Sequence, residues 1–293
     1  MSNGWTASRY QIARMILGTY LIVHFAQLAP WAAELFSSEG ALPNRSASPL
    51  LLFPNALALS DGPLFVTVFV AAGATLSIFL ALGYWDRLAS VVLWYIWACL
   101  HGRMPLIINP GLPYVGWLLL MHACLPPARG GLPTLRRHNE KVWHMPREIF
   151  LAAWALMAIG YTYSGAAKLT SPSWLNGSAL AYVLDNPLAR PGPARDVLLS
   201  LPGGVLSLMT WTALILELLF APLALIRPVR PWLWLSMVVM HVGLIGVLDF
   251  ADLSLGMLML HVFTFDPGWL IPIESSRMVP GLKTRPTYQL SIL

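Results

Sequence analysis

From Pro63 to Tyr84 the chain reads "PLFVTVFVAAGATLSIFLALGY" without one charged side chain. A helix needs about 20 apolar residues to cross the hydrocarbon of a bilayer. Only helices and closed barrels satisfy their backbone groups there. Further apolar runs fall at about Tyr10 to Leu35, Leu88 to Leu100, Tyr114 to Leu125, Ile149 to Lys168, Leu201 to Ile226, Trp232 to Leu248 and Leu253 to Phe265. Charged residues make up only 11% of the 293 positions and hydrophobic ones 57%, against roughly 25% charged in a soluble domain. The expected fold is an all-α polytopic membrane bundle of about eight transmembrane helices, a single integral membrane domain over residues 1–293. The third, fourth and eighth runs are short, and Pro105, Pro110 and Pro113 predict broken or re-entrant backbone between the third and fourth.

The first run is long and carries aromatic residues, so it reads as a retained span rather than a cleaved signal. Eight spans place both termini on one side of the membrane. That side then carries Arg9, Arg14, Arg87, Arg129, Arg136, Arg137, Lys141, Arg147, Arg227, Arg230, Arg277, Lys283 and Arg285, and the other only Arg45, Arg103, Arg190 and Arg195. The positive-inside bias therefore predicts cytoplasmic termini in a cytoplasmic or inner membrane, with a cytoplasmic tail over about 266–293. The net charge of +5 follows from topology and does not call for nucleic acid. The basic stretch "RRHNEK" reads as a topology determinant, or else as a contact for anionic headgroups. Trp85, Trp94, Trp117, Trp143, Trp174, Trp211, Trp232 and Trp269 fall near span ends, as an interfacial belt requires. Cys99 and Cys124 read as packing residues inside apolar runs. Asn44-Arg45-Ser46 and Asn176-Gly177-Ser178 match a glycosylation pattern that matters only in a eukaryotic secretory compartment.

Ionisable groups inside spans are costly and point to function. Lys168 ends the fifth run, with Tyr161 and Ser164 seven and four residues before it on one helical stripe and Gly165 beside them for close helix approach. Glu217 lies deeper in the sixth run, where its carboxylate needs a proton or a cation. His241 lies in the outer half of the seventh, and Asp249 and Asp252 follow in an external turn. Each has a plainer reading. Lys168 can snorkel to headgroups, His241 can hydrogen-bond between helices, and Glu217 can be a packing residue or half of a structural pair. Asp252 can cap the last helix. His24, His122 and His261 stand on separate helices at no metal-ligand spacing, so no metal is expected. "LDNPLARPGPARD" is an external loop punctuated by Pro and Gly, in the right place for a lid.

"YSGAAKLTSPSWLNG", residues 163 to 177, resembles the lysine-containing segment of the vitamin K-dependent γ-glutamyl carboxylases and their relatives in the horizontally transferred transmembrane domain family. The matched positions are Gly165, Lys168-Leu169, Trp174 and Gly177. Arg14, "SSEGALP", "LILELLFAP" around Glu217 and "MHVGLIGVLDFADLSLGML" add weaker similarities in the same order. The resemblance implies that Lys168 is a general base acting on a reduced quinone (a vitamin K-type hydroquinone), with His241 and Glu217 as further catalytic groups. Tyr161, Tyr163, Ser164, Trp174, Gly177, Asp249 and Asp252 would then shape the substrate and quinol site. Two features depart from the family. The chain lacks the large luminal portion that positions protein substrates, and Ala167 precedes the lysine where the animal enzymes carry a second lysine.

Two functional classes follow. One is a quinol-dependent oxygenase or carboxylase, acting on a peptide or small-molecule substrate from the external side. The other is a non-catalytic subunit that binds quinone, pigment or lipid, or that assists a membrane complex or the maturation of a secreted peptide through membrane-protein partners.

Overall fold

A computed structural model describes residues 4–44, 53–126 and 143–270. "RRHNEK", Arg45, Arg129 and the tail from 271 lie outside the described residues, and so do the expectations resting on them. The described residues form fourteen α-helices: α1 (Ala7–Leu28), α2 (Ala32–Phe36), α3 (Ala56–Leu59), α4 (Pro63–Leu82), α5 (Asp86–Arg103), α6 (Leu112–Cys124), α7 (Arg147–Lys168), α8 (Pro172–Leu175), α9 (Ala179–Leu184), α10 (Pro193–Leu199), α11 (Gly203–Leu218), α12 (Phe220–Leu225), α13 (Arg230–Val247) and α14 (Ala251–Thr264). The only β pairing among them is an isolated antiparallel bridge between Ala189 and Leu248.

The all-helical architecture expected from sequence is present, with helices long and apolar enough to cross a membrane, but length and apolarity support fewer spans than eight. Four helices qualify: Ala7–Phe36 taken through its bend, Pro63–Leu82, Arg147–Lys168 and Arg230–Val247. Pro193–Leu199 with Gly203–Leu218 makes a fifth only if a 109° bend is counted within one span. The shortfall has a chemical cause. α6 and α14 are short apolar helices, and α5 carries Asp86, Arg87 and Arg103 at its ends.

Local sequence sets the breaks. α4 opens on Pro63 at its first turn and stops at Gly83, whose φ of 80° is open to glycine without strain. A Cβ at Gly83 would lie 2.4 Å from the Arg14 guanidinium, so this turn also makes room for a buried cation. Between α5 and α6 the backbone passes through a short 3₁₀ turn at Pro105–Ile107 instead of continuing either helix.

One group of helices packs α1 on α4, α4 on α5 and α5 on α6, and another packs α7 on α11 and α12. α14 touches α1, α6, α7 and α13 and joins the two groups. Cross-chain hydrogen bonds identify the bundle's ends. At one, Trp5 Nε1 donates to Phe265 O and Arg87 Nε to Ala123 O, at 2.8 and 3.0 Å. At the other, the Asp249 carboxylate accepts from Arg190 Nε, and Trp211 Nε1 donates to Leu175 O, at 2.6 and 3.1 Å. Phe25, Phe36, Leu21, Leu93 and Leu100 fill the first group's core. A separate small cluster of Leu184, Leu206 and Val247 fastens α9 and the loop around it onto α11 and α13.

Candidate functional site

Lys168 is the last residue of α7 and Glu217 the penultimate residue of α11. The two helices approach closely at Gly165, where a Cβ would stand 2.5 Å from the backbone nitrogen of Leu218. This closeness brings the ammonium of Lys168 into a hydrogen-bonded ion pair with Glu217 Oε2. Lys168 Nζ also donates to Ser164 Oγ at 3.2 Å and lies 4.6 Å from the centre of the Trp174 ring, a cation–π position. The Lys168 and Glu217 side chains are 21% and 7% exposed, so Lys168 points into the protein.

One turn further along the same stripe, Tyr161 Oη lies 2.8 Å from His241 Nε2 and 3.4 Å from His261 Nε2. His261 Nδ1 is 2.9 Å from Met257 O, which can only accept, so Nδ1 carries the proton and Nε2 offers a lone pair to the phenol. His241 Nδ1 lies 3.2 Å from Ser254 Oγ. The tyrosine hydroxyl, two imidazoles and a serine thus form one continuous polar row.

Lys168, Glu217, Ser164, Trp174, Tyr161 and His241 all line a single cavity of about 590 Å³, within the 300–1,000 Å³ range of small-molecule sites. Its remaining wall is almost wholly apolar, with Met209, Ala213, Val239, Met240, Leu244 and Met257 among the lining residues. Leu180 and Val183 of α9 and Leu198 of α10, which flank the loop 184–196 read as a lid, complete the wall. The loop is fixed to the end of α13 by Arg190 N to Val247 O and Asp249 N to Leu188 O, both 2.8 Å.

Four residues expected at the site do not line this cavity. Tyr163 is 75% exposed, two residues off the stripe that faces inward. Gly177 has a φ of 81° and packs against Ser207 and Trp211, so its role is in the turn. Asp249 pairs with Arg190. Asp252 does not cap α14, whose N-cap residue is Phe250; its carboxylate accepts from Tyr20 Oη and bonds His24 Nδ1, each at 3.0 Å, on the face toward α1. Conversely, His261, Ser254 and Tyr114 were not singled out. The Ser254, Met257 and His261 spacing of three and four was a readable stripe, but its partner Tyr161 lies on another helix.

Comparison of the chain with protein-family models, with curated proteins and with solved structures finds no match. The site therefore rests on its own geometry. Among the described residues, no group of three or more His, Cys, Asp or Glu is placed to hold a metal ion.

Proposed function

We propose that the protein is an eight-pass integral membrane protein with cytoplasmic termini, in which the α7–α11–α13 cavity binds a reduced quinone and the Lys168–Glu217 pair takes up its hydroxyl proton. The reading makes it a quinol-dependent oxygenase or carboxylase similar to the vitamin K-dependent carboxylases. The observation that carries it is an ionisable pair set in the wall of a roomy apolar cavity. A quinol has an apolar body and acidic hydroxyls. The residues fit that division, because Lys168, Glu217, Ser164, Tyr161 and His241 share a cavity whose other walls are mostly Leu, Val and Met. When bound, the quinol would supply electrons and an acidic O–H.

The chain's own part is acid–base chemistry. Transfer of one proton from Lys168 Nζ to Glu217 Oε2 turns the ion pair into a neutral amine and a carboxylic acid. The free amine is then a base at the cavity surface. Ser164 Oγ and the Trp174 ring hold Nζ in place, and the ring also favours its return to the ammonium form. Tyr161, bonded to His241, presents a second oxygen that orients a polar group on the same wall.

The test is oxygen consumption and quinone oxidation by the purified protein in lipid nanodiscs supplied with vitamin K hydroquinone. The wild type turns over, and Lys168→Ala and Glu217→Gln lose at least ~100-fold, as removal of a general base does. Full turnover by Lys168→Ala removes the base role. Stoichiometric quinone or lipid with no oxygen uptake assigns the protein to the non-catalytic class.

A further inference from the structure

Trp5 and Trp234 both spend their indole N–H on the backbone: Trp5 Nε1 donates to Phe265 O at 2.8 Å and Trp234 Nε1 to His261 O at 2.9 Å. Their side chains, with Ile12 and Ile16 of α1 and Val262 of α14, line a groove of about 450 Å³ at the end of the bundle where Trp5 meets Phe265. Arg9 lines it too, and it is the one charged side chain among the described lining residues. It is exposed, and one of its terminal nitrogens donates to Gly4 O at 2.7 Å. Among the described residues no carboxylate pairs with it. Asp266, between the lining residues Phe265 and Pro267, is not in the wall; its Oδ1 accepts from Gly268 N at 2.8 Å.

The groove has a direction. α1 begins at Ala7, beside the Trp5–Phe265 contact, so Arg9 stands at the end of the bundle, and Ile12 and Ile16 follow on the same helical face three and seven residues further in. At ~1.5 Å per residue the apolar wall runs roughly 10 Å inward from the cation. Ile12 and Ile16 are 55% and 39% exposed, so this side of the groove is open. A cation at the rim with an apolar wall below it repeats the head-to-tail order of a lipid in one leaflet.

We propose that this groove seats an acyl chain of an anionic phospholipid, with the Arg9 guanidinium on the phosphate. The chemistry follows from what the wall offers. Both indole N–H groups are already bonded, so the side chains give an occupant ring and alkyl surface, and only the guanidinium gives it charge. Its planar donors match two oxygens of one phosphate. A neutral glyceride leaves Arg9 unmatched, a free phosphate leaves the groove unfilled, and a choline head brings a second cation beside the first. The inference rests on the membrane reading and not on the quinol, because the groove shares no lining residue with the Lys168 cavity.

The experiment places the full chain in phosphatidylcholine nanodiscs with a trace of either phosphatidylglycerol or phosphatidylcholine that carries a diazirine on one acyl chain. Peptide mass spectrometry gives labelling at Ile12, Ile16 and Trp234 as a ratio to labelling at Val68 of α4, which is 59% exposed and outside the groove. The ratio is about fivefold higher with phosphatidylglycerol, the gain that one basic residue gives at an anionic surface. Arg9→Gln removes the preference, Arg9→Lys keeps most of it, and glycerol 3-phosphate does not compete. Equal ratios for the two lipids in the wild type overturn the proposal, so a variant that fails to fold does not spare it. A preference that survives Arg9→Gln overturns it as well, and competition by glycerol 3-phosphate reduces the site to a phosphate contact without a groove. A photocrosslinking residue in place of Ile16 captures lipid; capture of residues 271–293 instead gives the groove to the chain's own tail and sinks the proposal. Labelling of α4 without any preference at the groove refutes this site alone, whereas no labelling of α4 by either lipid refutes the membrane reading beneath it.

Discussion

Arg103 and Lys168 are both cations paired with a carboxylate, and each ends a helix, yet they sit in opposite surroundings. Arg103 is fully buried, donating to Ser37 O and Leu42 O at 2.9 Å and to Asp61 Oδ2 at 3.3 Å. Acceptors from two segments hold its guanidinium, and it lines none of the cavities described above. Lys168 makes its ion pair, one hydroxyl contact and one ring contact beside about 590 Å³ of space. The first arrangement is suited to fixing chain segments, because the planar guanidinium's many donors are spent on backbone carbonyls. The second leaves a proton free to move and room for something to receive it.

Four changes sharpen or break this contrast. The largest effect belongs to Arg103→Met, which removes a buried guanidinium from Asp61, Ser37 O and Leu42 O. It destabilises by about 3–5 kcal/mol, read as thermal unfolding in detergent, and a loss below ~1 kcal/mol would put Arg103 in the same class as Lys168. Next is Gly165→Val, which drives a Cβ into the α11 backbone at 2.5 Å. It costs about 1–3 kcal/mol by overpacking and parts Lys168 from Glu217, so quinol binding falls with stability.

Replacing the cavity pair together, Lys168→Met with Glu217→Leu, leaves stability unchanged or raised by ~1 kcal/mol, because no unpaired charge remains; turnover is nonetheless lost. If this double variant unfolds as Arg103→Met does, the pair is structural. The smallest effect is at the lid. The Arg190–Asp249 pair is 44% and 55% exposed on its two sides, so Arg190→Ala changes stability by less than ~1 kcal/mol. Any effect of that variant appears in the rate of ligand entry, measured by stopped-flow quinol binding, and a change in affinity without a change in rate would argue against a lid.

Outside the spans, Asp266 gives a pH readout of the first end of the bundle. Burial raises its carboxyl above the ordinary aspartate range, opposed by the Gly268 N–H and by Arg230. The folded state therefore holds the proton to higher pH than the unfolded chain, and the wild type loses stability as pH rises from the ordinary value through the raised one. Asp266→Asn removes that slope. Its unfolding temperature gains on the wild type between pH 4 and 7, and parallel curves would show the carboxyl to be unperturbed.

Much of the site was legible along single helices. The Tyr161, Ser164 and Lys168 stripe faces the cavity as its spacing requires, and Tyr163, off the stripe, faces out. Pairings between helices were not legible. Nothing in the sequence couples Lys168 to Glu217 rather than to His241, or sends Asp252 to His24 rather than to its own helix end. Those outcomes depend on helix rotation, which is set by close approaches such as Gly165 on Leu218. His24, His122 and His261 looked scattered for the same reason. Each meets its partner from a different helix: Asp252 and Trp97 for the first, Asp86 and Tyr10 for the second, Tyr161 for the third.

The sequence by itself determined a helical membrane protein, because apolar runs with 11% charge leave water no role in satisfying the backbone. It also ordered the charged residues along each helix, since rise along a helix is fixed at ~1.5 Å per residue. The tertiary structure alone decided which charges neutralise one another and where space remains. Both depend on how helices rotate and cross, and those angles come from side-chain packing between segments far apart in the chain.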